Sequence, residues 1–389
     1  MLRFLLVLSV ASAQEVSIGY GHFYNLDFPQ ALAEFDREAA RAAEDPEAYN
    51  HIAHTILYYE MFRNGALETE MVAGSNAFLK REAVQPTAAD RKKFSDAVSK
   101  AMSLCEARLR RNEKDKEALY ALGVAHGLKA NYDFLVRKAW SDALSGAGKA
   151  RKFHEKVTAI DPEFADALLV QGVHQYVVGS LPRTVRFFGF FVGFRGDRAK
   201  GIEMLRKVEI YGQRNRLDAQ VLLAAIYRRE KRQVEAIPLL SVLGDRFPRN
   251  FLLQFELAQM YADLGDKGRS VAILDQIEAH RVARRNGFER ISRERVAFGR
   301  GNLHFWYRDL DAALASMKTA TAGAAQLNLG TGVLAWMRLG QIHDLRSERQ
   351  EAVAAYRQAM KFAPGSEVAK EAKGYVKSAY RLSPSRRGP

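Results

Sequence analysis

The chain has 389 residues, 48% hydrophobic and 27% charged, which is longer than one compact core usually organises. Its formal net charge of +14 favours nucleic acid, anionic lipid or acidic protein partners. The basic residues are scattered, with no long run and no recognised motif, which sets nucleic acid aside. With Cys105 as the single cysteine, neither an intramolecular disulfide nor a cysteine-based zinc site can form, and Cys105 reads as a small buried hydrophobe. Only 10 prolines occur, and Ala, Leu, Arg, Glu and Lys dominate, so the expected fold is all-α.

In chain order, Met1 to Ala13 reads as an export signal. Arg3 supplies the positive end, Phe4 to Val10 an apolar run too short to span a bilayer, and Ala11-Ser12-Ala13 a cleavage site. Cleavage after Ala13 makes Gln14 the first mature residue and places the protein in the periplasm or outside the cell. The alternative is a cytosolic protein whose first helix is buried.

From there, small residues recur on helical segments. Gly19 and Ala53 are 34 apart, as are Ala224 and Ala258; Gly123 and Gly172 are 49 apart, which leaves room for about one extra helix. Gly301 and Gly340 complete eight such starts. Three stretches carry extra chain: Arg63 to Lys93, Lys129 to Gly148, and Gly179 to Arg198. In the third, Phe187, Phe188, Phe190, Phe191 and Phe194 crowd together between Arg183, Arg186, Arg195 and Arg198. It reads either as an apolar hairpin plugging the molecule or as a loop, Phe187 to Phe194, that touches a membrane surface or a partner. The last unit has Trp336, Leu339, Gly340 and His343 on one helix, Ala352, Tyr356 and Ala359 on a second, and Pro364 at its close. Ser366 then caps a final helix through Tyr380, and residues 382–389 read as a disordered tail.

The last unit resembles the tetratricopeptide repeat, W-x2-L-G-x2-Y…A-x3-F…P, with His343 in the Tyr position. The resemblance implies an all-α, right-handed superhelical solenoid of about eight helix pairs over residues 14–381, with inserted segments and a C-terminal capping helix. In such a unit, small residues near the Gly340 and Ala352 positions let helix A approach helix B, and proline stops helix B. One pair cannot bury its own face, so several must stack. The stretch from Gly179 to Arg198, with Lys200, Gly201 and Leu205, is similar to the tetratricopeptide repeat protein 39 family and its bacterial look-alikes. That implies membrane-proximal or protein-handling roles in eukaryotes, and the export signal departs from that setting.

The tetratricopeptide resemblance also implies an inner surface built mainly from helix A. Counted from the small residue, it comprises Tyr20, Phe23 and Tyr24; Asn50, His54 and Tyr58; Tyr120; Tyr176; Arg228 and Arg229; Phe255 and Gln259; and Phe298, Asn302, Phe305 and Trp306. Amphipathic aromatics with a few amides suit a peptide or helix groove, and the two arginines would select acidic residues. The alternative is that these aromatics are core. His51 and His54 have a permissible i, i+3 ligand spacing but no further partners, and His126, His304 and His343 take the repeat's Tyr position. Gly146 to Lys149 has no preceding strand and no Ser or Thr after the lysine, so it is no phosphate loop. No cofactor and no catalytic constellation is expected. The reading is an exported scaffold for a protein or peptide partner, in cell-envelope assembly. The alternatives are an oligosaccharide-binding module or a cytosolic adaptor.

Overall fold

The computed structural model describes residues 17–67, 84–181 and 196–382. The export signal, the phenylalanine cluster and residues 383–389 lie outside the described residues. Among the described residues, seventeen α-helices form eight antiparallel pairs and a cap. The pairs are α1 (Ile18–Tyr24) with α2 (Phe28–Arg41), α3 (Pro46–Arg63) with α4 (Ala88–Arg111), and α5 (Lys116–Tyr132) with α6 (Trp140–Ile160). Next come α7 (Leu168–Gly179) with α8 (Arg198–Tyr211), α9 (Arg216–Arg229) with α10 (Gln233–Arg246), and α11 (Phe251–Leu264) with α12 (Lys267–Val282). Last are α13 (Arg293–Trp306) with α14 (Leu310–Ala322), and α15 (Leu329–Leu345) with α16 (Arg349–Phe362); α17 (Glu367–Lys377) caps the stack.

All eight small residues lie on the first helix of a pair and are buried. The reason is steric. A β-carbon on Gly19 would lie 2.5 Å from the Phe35 ring, one on Gly301 2.8 Å from Met317, and one on Gly340 2.5 Å from Tyr356. Each of these large residues comes from the second helix of the same pair, where Phe35, Met317 and Tyr356 are fully or almost fully buried. One turn before them on the same helices sit Ala31, Ala313 and Ala352, each 0% exposed. Large side chains thus fill the wedge that the small ones leave open, at native packing density.

The turn between paired helices also repeats. Seven residues after the small one, Leu26, Lys231, Gly265, Arg308 and Ser347 all have φ between 58° and 93°. The next N–H reaches back five residues: Asp27 to His22, Arg232 to Tyr227, Asp266 to Tyr261, Asp309 to His304 and Glu348 to His343, at 2.7–2.9 Å. A left-handed residue followed by this long backward bond is the helix-ending geometry that satisfies orphan carbonyls and reverses the chain. His304 and His343 therefore occupy the structural place of the tyrosines, and His343 Nδ1 also pairs with Glu348 at 2.6 Å.

Several boundaries differ from expectation. The extra residues between Gly123 and Gly172 form no additional helix. They lengthen α6, add a π-turn at Asp133–Arg137 and add a 3-10 turn at Ala165–Ala167. The stretch from Lys129 to Gly148 is accordingly mostly helix rather than an inserted loop. Its π-turn is held by Asp133, a buried carboxylate bonded by Lys129 at 2.6 Å and Arg137 at 2.7 Å. The final helix does begin at Ser366, whose Oγ accepts the Ala369 N–H. It ends at Lys377, and residues 378–382 run without helix. Leu382, assigned to the loose tail by sequence, packs against the C-terminal core.

Candidate functional site: the inner face of the superhelix

Many of the helix-A residues read as a groove are taken up by contacts within the molecule itself. Tyr20, Phe23, His54 and Tyr58 gather into one aromatic cluster with Phe28 and Phe35. His54 lies 4.8 Å from Phe23 and 4.6 Å from Tyr58. Burial pushes the His54 pKa down to about 3, so this imidazole stays neutral and behaves as packing. Its neighbour His51 bonds Glu38 at 3.3 Å. Among the described residues no group of three metal-ligating side chains converges. The Cys105 thiol is buried and pushed up to about 12, which keeps it protonated and unreactive.

Units 1 and 2 reach across the axis to the middle of the chain. The Tyr24 hydroxyl donates to Asp218 on α9 at 2.6 Å, and its ring lies 5.0 Å from Phe247. The Tyr24 carbonyl accepts from Asn250 Nδ2 at 2.8 Å, and Asn25 Oδ1 accepts from the Arg249 N–H at 3.0 Å. Asp27 sits between Arg249 at 2.5 Å and Arg290 at 2.6 Å, with 8% of its side chain exposed. Phe62 meets Phe251 at 6.2 Å, and Arg214 bridges Glu47 and Glu117 at 2.7 and 2.6 Å. Residues from units 1, 2, 5 and 6 thus share one hydrophobic cluster.

This closure corrects several sequence assignments. Phe23, Tyr24, Asn50, Tyr120, Tyr176, Phe255, Phe298 and Phe305 are buried in the folded chain, so none offers its side chain freely to a partner. Asn50 bonds the Ala121 carbonyl at 2.9 Å and ties unit 2 to unit 3. The Tyr120 hydroxyl accepts from Asn215, and the Tyr176 hydroxyl donates to Glu230. Arg228 is held by the buried Glu256 at 2.6 Å, which satisfies its charge internally. Burial raises the Glu256 carboxyl to about 7 despite that arginine. Arg229 is exposed, with its guanidinium 5.8 Å from the Tyr176 ring. Gln259 donates to Asp263 at 2.7 Å. Core packing wins because the apolar area of these aromatics is worth about 1.5–3 kcal/mol each when buried.

The last two units differ. Asn302 and Trp306 on α13 are only half-buried, over the buried Phe305. Arg338 of α15 lies across this pair, 4.1 Å from the Phe305 ring centre and 4.9 Å from that of Trp306. Its Nε donates to Asn302 Oδ1 at 2.9 Å and its Nη1 to Gln341 Oε1 at 2.6 Å. One helical turn further on, Asp344 accepts from Tyr356 at 2.8 Å, Arg349 at 2.8 Å and the Tyr380 N–H at 2.7 Å. Gln341 and Asp344 were within reach of sequence reasoning. Counting from Gly340 as for the other units places them at the same inward positions as Asn302 and Phe305. Asp27, Asp218, Arg249 and Arg290 carry no such signal, because their partners are 194 to 263 residues away.

Eight stacked helix pairs with a repeated turn define a helical-repeat solenoid. Residues 333–366, which span α15 and α16, match the family model described as Tetratricopeptide repeat. The protein carries a tetratricopeptide repeat, and its described residues form an all-α, TPR-like superhelix. The similarity of the Gly179–Leu205 stretch to the repeat protein 39 family is not confirmed. No curated protein matches the chain. Among solved structures it is similar to yeast Tom70, at 12% identity over 93% of this chain and 87% of that one, with a TM-score of 0.40. It is also similar to YrrB, described as a TPR protein with an unusual peptide-binding site, at 14% identity over 69% and 97%, with a TM-score of 0.31. Naa15/Naa10 bound to HypK-THB gives 14% identity over 93% of this chain and 59% of that one, with a TM-score of 0.45.

Proposed function

We propose that the protein is an exported scaffold that binds a protein or peptide partner on the inner face of units 7 and 8, in cell-envelope assembly. The observation that carries this is the half-buried platform of Asn302, Trp306 and Arg338, with Arg338 anchored on the buried Gln341. It joins apolar area to amide and guanidinium groups suited to peptide backbone, as binding hot spots do. Elsewhere the corresponding face is largely closed by the molecule's own contacts. The net charge of +14 favours an acidic partner and predicts association that slows with salt. Binding rather than catalysis fits a site whose charged groups are paired and whose histidines pack.

Crosslinked capture from native envelope supplies the partner, and Trp306→Ala tests the face. The variant should weaken capture by roughly 2 kcal/mol, about thirty-fold, while the fold is retained. An unaltered affinity moves the binding site elsewhere. Export is tested on chain recovered from its native cell, whose first residue should be Gln14; intact Met1 chain in the cytosol would end that part of the proposal.

A further inference from the structure

Beyond Lys377 the chain leaves α17 and crosses the inner face of the last units. The Tyr380 N–H is bonded by Asp344, a carboxylate with no exposed side-chain surface. The Tyr380 ring, 9% exposed, lies 6.2 Å from Phe305 and edge-on to Tyr375 at 5.3 Å. Arg381 points to solvent, and Leu382 returns to the same apolar cluster as Trp306 and Leu345. In, out, in is the alternation of an extended chain. One buried carboxylate that accepts a backbone N–H, with apolar seats two residues apart, is how this surface reads an extended segment.

We propose that residues 378–382 are a built-in, displaceable occupant of the binding face. The partner is then an extended peptide with an aromatic residue, one variable residue, and an aliphatic one. This deepens the scaffold reading and rests on it. A tethered occupant competes at an effective concentration on the order of millimolar, so the intact chain holds such a peptide weakly until its own segment is dislodged. Arg349 keeps α17 in place meanwhile: it binds the Tyr375 and Val376 carbonyls at 2.7 and 2.9 Å, contacts that do not involve the Tyr380 side chain.

The test uses a capped fluorescent peptide of residues 376–386, titrated into full-length wild type, Tyr380→Ala and Leu382→Ser. Both variants should bind it at least ten-fold more tightly than wild type, and the same peptide with alanine for its tyrosine should not bind them. The proposal is overturned if folded variants show wild-type affinity, or if the alanine peptide binds equally well. If Tyr380→Ala fails to fold, Leu382→Ser decides. If neither folds, the segment is a fixed part of the cap and the proposal falls. Should the peptide result fail while Trp306→Ala still weakens partner capture, only the occupant is lost and the binding face stands.

Discussion

At the scale of single residues, the repeated turn is under steric tension. A side chain in the left-handed region costs about 1–2 kcal/mol relative to the right-handed one. Unit 6 avoids this with Gly265, whereas units 1, 5, 7 and 8 place Leu26, Lys231, Arg308 and Ser347 there. Lys231 is exposed, so its replacement removes little else. Lys231→Gly should therefore stabilise the protein by about 1 kcal/mol, and Gly265→Ala should destabilise it by a similar amount, in urea unfolding. The same sign for both substitutions would show that the turn does not limit stability. The position was not legible beforehand, because Leu26, Lys231, Arg308 and Ser347 lack the glycine that marks a left-handed turn. The small helix-A residues were legible, since glycine or alanine at a fixed spacing has few explanations other than close approach.

Among helices, the eight pairs and the cap could be read from the chain because each repeats one packing solution. What escaped was how individual helices absorb extra residues. Between Gly123 and Gly172 the surplus became longer helix, since Ala150, His154 and Val157 on α6 continue the apolar stripe that packs on α5. His154 stacks on Tyr120 at 5.2 Å, and burial pushes its pKa down to about 4, so it serves as a neutral ring in the core. The end of α17 was missed for a related reason. Tyr380 continues the helical pattern in sequence, yet its backbone is captured by Asp344. For the candidate binding residues, burial was not readable from sequence, because it depends on contacts from distant units.

For the whole molecule, the seam between the first units and the middle of the chain decides whether the superhelix is closed. Asp27 is its most concentrated point, a nearly buried carboxylate between two guanidiniums, with Arg290 also donating to the Leu26 carbonyl at 2.7 Å. Charge-assisted bonds of this kind contribute about 1.5–3 kcal/mol each, but both arginines remain one-third exposed and can regain water. Asp27→Ala should therefore destabilise by roughly 2 kcal/mol. It should also raise hydrogen exchange in α1 and at the start of α11, while leaving α13 to α17 protected. Uniform loss of protection along the chain would mean that the seam is not a separable unit.

The seam also bears on how the chain is made. Asp27 emerges from the ribosome 222 residues before Arg249, the first of its two cationic partners. At about 5–20 residues per second, α1 waits on the order of ten seconds or more with the cluster of Tyr20, Phe23 and Tyr24 lacking the surface that covers it. Its neighbours α2 and α3 can shield only one side. The helices of this unit are thus made well before the surface that completes their environment. A holding factor that recognises exposed aromatics would have a long opportunity at this unit.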